Sequence, residues 1–251
     1  MDLSFVIRLG VLLVRPAALV AAAPPFGGSY TPAPVKIGLS LILAIVLAPT
    51  VAVPAMTGGA VIAVVVGREL LVGVALAMAV RVLIAGVELA GQLAGFQLGL
   101  AYAAAVDPQT GARNNVIASL YANLALFSFL ALDAHHAVLR ALARSYAAVP
   151  VGLGGVDAAL GSMVARTLGA IFLIGAQLAA PIVVVLLIVE LGLGLVTRAA
   201  PALNMMIVGF PVRLLAGLLV LAATVAIVPG VTRDVAPAVI DLATRLARAF
   251  R

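Results

Sequence analysis

Between residues 60 and 100 the chain is apolar apart from four ionisable side chains, Arg68, Glu69, Arg81 and Glu88, and a few other polar groups. At a helical rise of about 1.5 Å per residue, this stretch exceeds the roughly 20 residues that cross a bilayer. It must be two helices, a re-entrant hairpin, or one helix that projects from the membrane. Further apolar segments at 3–23, 35–53, 116–132, 168–196 and 205–228 surround it. With hydrophobic residues at 65% of 251 and a mean hydropathy of +1.29, a water-soluble domain of this size would need a grossly apolar surface. The reading is an all-α integral membrane protein of kinked helical hairpins, residues 1–251 forming one helical domain. The 24 glycines and 14 prolines point to broken helices whose freed backbone groups are satisfied by neighbouring protein.

Several classes of chemistry are excluded at this level. There is no cysteine, hence no disulfide, thiolate metal site or cysteine nucleophile. The excess of 15 Lys+Arg over 9 Asp+Glu has no basic block and no aromatic interleaving, which argues against nucleic acid. Membrane topology accounts for it, because arginine accumulates at the cytoplasmic ends of spans. Arg233, Arg245, Arg248 and Arg251 place the C-terminus in the cytoplasm. Six crossings would then put Arg140, Arg144 and Arg166 inside, and Asp107 and Arg113 outside. The first segment reads as retained rather than as a cleaved signal peptide, because Arg15 interrupts it and Pro24 follows its small residues.

Polar residues within such a chain are candidates for function. Arg81, Glu88, Gln92, Gly95 and Gly99 share one helical face, and Gly91, Gly95 and Gly99 are spaced for close approach of another helix. Glu88 must face protein or water. A packing seam between helices or subunits, a seam lining a passage and a proton or ion relay all remain open. Asp133, His136, Arg140 and Arg144 form a second stripe. His135 lies about 100° round the helix from His136, so a metal site shared by the two is not expected. Pro181 should kink the fifth segment. Pro181 and Glu190, with Pro201, Asn204, Met205, Met206, Phe210 and Pro211, are candidate partner contacts, although the methionines also suit a plain core. From 234 to 251 the chain is amphipathic. Val235, Val239, Leu242, Leu246 and Phe250 line one face, suited to a membrane surface or a partner.

The blocks "VDPQTGARNNV", "FLALDAHHAVLRALARSYAAVPVG" and "APIVVVLLIVELGLGLVTRAAPALNMMIVGFPVR", in this order and spacing, resemble the FliR/SctT family of type III secretion export-gate subunits. The Asp107-Pro108-Gln109-Thr110-Gly111 form is similar to the flagellar branch. Ala134 and Met206 depart from the residues common in the family at those positions. The resemblance implies a non-enzymatic subunit without a cofactor. It would assemble with FliP-like, FliQ-like and FlhB-like partners in the bacterial inner membrane at the flagellar basal body. Unfolded exported proteins would be its transient clients and lipid its surroundings. It also implies that the loop at 99–115, with Tyr102, Asp107, Pro108, Gln109, Thr110, Gly111 and Arg113, points into a lumen and helps plug the closed gate. A small secondary transporter is the rival class, but it should show paired broken repeats, and none is found.

Overall fold

A computed structural model of the chain describes residues 3–28, 31–54, 56, 58–100, 115–152, 158, 160–201, 205–248 and 250. Among them the regular structure is helical throughout: α1 (Leu3–Ala22), α2 (Ala33–Leu47), α3 (Gly59–Gln97), α4 (Val116–Ala131), α5 (Ala134–Ala148), α6 (Leu160–Ala199), α7 (Met205–Val225) and α8 (Val228–Arg248). The long apolar stretch is thus a single helix of 39 residues, about 58 Å long at the usual rise. Four helices, α1, α3, α6 and α7, are long and apolar enough to cross a membrane, and α4 with α5 qualifies only as a broken pair. The six-crossing reading counted α2, which at 15 residues reaches only about 22 Å, short of a hydrocarbon core of about 30 Å.

The chain gathers into two compact units. The first comprises residues 1–83, 129–168 and 235–251, the second 84–128 and 169–234. In the first unit, Leu12, Leu19, Leu76, Leu83, Phe129 and Leu142 form a buried core. Arg15 lies within it at 0% exposure, facing Glu69 at 2%. An uncompensated charge there would cost several kcal/mol, and the structure compensates it almost completely. Nε and Nη2 of Arg15 donate to the two carboxylate oxygens of Glu69 at 2.8 and 2.9 Å. Nη1 donates to Ser145 Oγ at 2.9 Å and Nη2 to the Val149 carbonyl at 3.0 Å. The guanidinium also sits 4.1 Å from the centre of the Tyr146 ring, whose hydroxyl donates to the Leu12 carbonyl. One side chain thereby joins α1, α3 and α5. Gly73 of α3 permits the approach, since a Cβ there would stand 2.6 Å from the Arg15 carbonyl oxygen and from Ala18 Cβ.

The C-terminal helix starts earlier than its sequence reading and packs in part on its own chain. It begins at Val228 rather than Asp234. Its apolar face is occupied within the first unit: Ala236 and Phe250 are buried, and Val235 and Leu242 pack against the core. Asp241 and Arg245 pair at 2.7 Å on the exposed side. For these residues the amphipathic pattern is met at least in part by an intramolecular contact.

In the second unit α3 and α4 meet at Gly91. A Cβ at that position would lie 2.6 Å from Ala118 Cα and 2.8 Å from the Ile117 carbonyl oxygen, both backbone atoms that cannot rotate away. Gly67, in the same helix, would meet nothing within 4 Å. Gly91→Ala should therefore destabilise the protein by about 1–3 kcal/mol through overpacking. Gly67→Ala should be neutral or stabilising by about 0.5–1 kcal/mol, because alanine is the better helix former. Thermal unfolding of the two variants in mild detergent checks the opposite signs.

Candidate functional site

Both ends of the 99–115 segment are built onto the last turns of α3. At its start, Gly99 has φ 77°, a conformation natural to glycine. The Leu100 N–H donates to the Gly95 carbonyl at 3.1 Å and the Gly99 N–H to the Phe96 carbonyl at 3.0 Å, the bond pair of a Schellman helix ending. Leu98 is fully buried and fills the space left by the missing side chain of Gly217 in α7. Phe210 of α7 lies against Gly99, its ring 3.6 Å from where a Cβ would be.

At the segment's end, Asn115 caps α4: its Oδ1 accepts the Ile117 N–H at 3.0 Å. Its Nδ2 donates to the Gln92 carbonyl at 3.2 Å and, at 3.4 Å, to that of Gly91. The amide occupies the position that a side chain on Gly95 would take. One asparagine thus starts α4 and ties it to α3, and the two glycines provide the room.

A second tie crosses three helices. Arg213 of α7 donates through Nη2 to Glu190 of α6 at 2.8 Å and to Gln97 of α3 at 3.3 Å. Its Nε is buried without a hydrogen-bond partner. Deeper in this unit, Tyr121 and Thr224 share a hydrogen bond at 2.7 Å. Thr224 also donates to the Leu221 carbonyl, so the tyrosine hydroxyl is the donor of the pair.

The expected seam is only partly assembled. Gly91 and Gly95 make close contact, but with α4 of the same chain. Gly99 leaves the helical face, because α3 ends at Gln97 and Gly99 belongs to the cap. Arg81 is exposed and lies in the first unit, whereas Glu88 is half-buried in the second and accepts a long 3.4 Å bond from Gln92 one turn on. Tyr102, Asp107, Pro108, Gln109, Thr110, Gly111, Arg113 and Asn204 lie outside the described residues, as do the side chains of Met205 and Met206. Of the other candidate partner contacts, Pro181, Pro201, Phe210 and Pro211 are exposed, while Glu190 is engaged by Arg213 inside the chain. Beside them α6 and α7 expose Val184, Ile188, Leu191, Leu195, Ile207 and Leu219.

The sequence pattern did not bring out the Arg15, Glu69, Ser145 and Tyr146 cluster. Its signal was present, since a cation in one apolar helix and an anion in another each require a partner. His135 and His136 also lie closer together than their helical-wheel separation suggests. Their ring centres are 4.1 Å apart at the start of α5, and their donor atoms converge with the Asp133 carboxylate. In the first helical turn, side-chain rotation brings adjacent rings together despite the 100° between their Cα–Cβ directions.

These features define an all-helical integral membrane protein whose buried polar groups join helices and whose 99–115 segment is anchored at both ends. Residues 6–237 match the model of bacterial export proteins, family 1, and the chain belongs to that family. It is 33% identical over 230 residues to the flagellar biosynthetic protein FliR of Pectobacterium carotovorum, covering 91% of this chain and 88% of that protein. It is 30% identical over 231 residues to FliR of Bacillus subtilis, covering 90% and 88%. To the Yop proteins translocation protein T of Yersinia pestis it is 27% identical over 150 residues, covering 59% and 58%.

Because Arg213 and Glu190 are both partly exposed, their pairing is worth no more than about 1 kcal/mol after screening. Glu190→Gln should cost about that much. Exchanging the two charges, Glu190→Arg with Arg213→Glu, should recover part of what Arg213→Glu alone loses. A double-mutant cycle on thermal unfolding measures the coupling.

Proposed function

We propose that this chain is a non-enzymatic subunit of the flagellar type III protein export gate in the bacterial inner membrane, at the basal body. It assembles there with FliP-like, FliQ-like and FlhB-like subunits into a channel for unfolded flagellar proteins. The observation that carries the reading is the family match over 6–237, together with FliR relatives aligned along about nine-tenths of the chain. The shorter alignment to the Yersinia protein makes an injectisome role the second reading. A non-enzymatic role is supported by where the polar groups are spent: Ser145 Oγ donates to the Leu142 carbonyl and accepts from Arg15, a structural commitment on both sides.

Within the gate, residues 99–115 act as the plug, with Tyr102, Asp107, Pro108, Gln109, Thr110, Gly111 and Arg113 filling the closed passage. The anchors at Gly99 and Asn115 support this, because a plug must be held firmly at its roots. The exposed apolar residues of α6 and α7, with Pro181, Pro201, Met205, Met206, Phe210 and Pro211, supply surface for neighbouring subunits. The chain serves this role as one helical subunit.

Tagged chain extracted gently from native membranes should carry the FliP-like and FliQ-like subunits with it, and their absence would refute membership of the gate. Removing Asp107 to Gly111 should leave that assembly intact and let ions and small solutes leak across the membrane, only when the partner subunits are present. Intact assembly without leak would refute the plug, and leak without the partners would indicate a misfolded chain perturbing the bilayer.

A further inference from the structure

We infer that Asp133, His135 and His136 form a binding site for a divalent transition-metal ion at the break between α4 and α5. The site lies wholly in the first unit and does not depend on the proposed function. Each of the three residues offers one ligand atom, and these atoms lie within 4.8 Å of one another. His136 Nδ1 is 3.2 Å from Asp133 Oδ1, close to the separation of about 3.3 Å expected for two tetrahedral ligands each about 2.0–2.1 Å from zinc.

Backbone geometry brings the three together. Asp133 adopts φ 55°, a left-handed conformation in which aspartate is among the few side chains at ease. Its N–H donates to the Leu130 carbonyl at the end of α4, and its own carbonyl accepts the His136 N–H at the start of α5. The turn therefore presents the carboxylate beside the first turn of α5, although the Asp133 side chain makes no capping hydrogen bond to the helix.

A second observation is independent of this clustering. His135 Nδ1 is buried and has no hydrogen-bond partner, and leaving such an atom unpaired normally costs free energy. Coordination of a cation through this atom would give it the partner it lacks. Asp133 and His136 open onto a cavity of about 570 Å³ that is also lined by Leu43, Val46 and Leu47 of α2 and by Leu139 and Arg140. There is room for water to complete the coordination, as in zinc sites with three protein ligands. Two imidazoles and one carboxylate favour zinc, nickel, cobalt or copper over magnesium or calcium, which prefer oxygen ligands. Arg140, one turn along α5, opposes a cation, but solvent screens it. A bound ion would tie the residue preceding α5 to its first turn and fix the break between α4 and α5.

The test is calorimetric titration of the purified chain, in complex with whatever subunits accompany it, using Zn²⁺ and separately Mg²⁺. One equivalent of Zn²⁺ should bind at least about 30-fold more tightly than Mg²⁺. Asp133→Asn and His135→Ala should each weaken Zn²⁺ at least about 10-fold. Zn²⁺ should raise the unfolding temperature of the unaltered chain but not of the variants. Co²⁺ bound in place of Zn²⁺ should show visible absorption bands that Asp133→Asn abolishes. Should His135→Ala fail to fold, the exposed Asp133→Asn carries the test. Equal Zn²⁺ affinity in the unaltered chain and in Asp133→Asn, or no preference over Mg²⁺, would overturn the site and leave an adventitious ion only.

Discussion

The first unit depends on a cation that should not be there. Placing Arg15 in an apolar core is tolerable only because four of its N–H groups find acceptors on two other segments and its flat face rests on Tyr146. Lysine could not do the same, lacking the planar fork that meets both Glu69 oxygens at once. The requirement propagates outward. The bidentate pair fixes the separation of α1 and α3, and Gly73 must be side-chain-free at that separation. Ser145 and Val149 must present a hydroxyl and a carbonyl at the end of α5. A buried pair of this kind contributes little net stability compared with a well-packed apolar substitute, but it is intolerant of losing one member.

The second unit solves a related problem with smaller parts. Its helices approach through glycines, Gly91 and Gly95 toward α4 and Gly217 toward Leu98, and its polar ties are a few side-chain contacts, those of Asn115, of Arg213 and of Tyr121 with Thr224. This follows from packing physics inside a bilayer, where apolar surface gives no preference for protein over lipid and close backbone contact must supply the attraction. For a subunit proposed to hold a plug, the result is useful: both roots of the segment rest on backbone carbonyls of α3, one through main-chain N–H groups at Gly99 and Leu100 and the other through the Asn115 side-chain amide.

Much of the helical layout was legible because a spanning helix advertises itself by length and hydropathy. The 59–97 helix could be recognised as too long, but not as unbroken, since a chain with no proline over that stretch can still fold back at glycine. The amphipathic face of α8 was also legible, but its occupant was not: periodicity tells that Leu242 must be covered and never by what. The same limit hid the Arg15–Glu69 pair, whose members stand 54 residues apart. Burial rules demand a partner for each charge and leave the choice to tertiary structure. Spacing alone places Gly99 on a helical stripe because the stripe rule assumes that the helix continues, and the left-handed cap shows that it does not. The His135 and His136 rings met for the converse reason, an ideal-helix rule applied in a first turn where rotamers decide.

The central claim is that Arg15 and Glu69 act as one unit on which the first unit's helices are assembled. A double-mutant cycle on denaturant unfolding in mild detergent, with Arg15→Met, Glu69→Met and the two combined, tests it most directly. Each single variant should lose about 3–5 kcal/mol because it strands a buried charge. The combined variant should lose clearly less than the sum of the two, since no charge is then left unpaired. Strictly additive losses, or single losses no larger than those of exposed positions, would contradict the account.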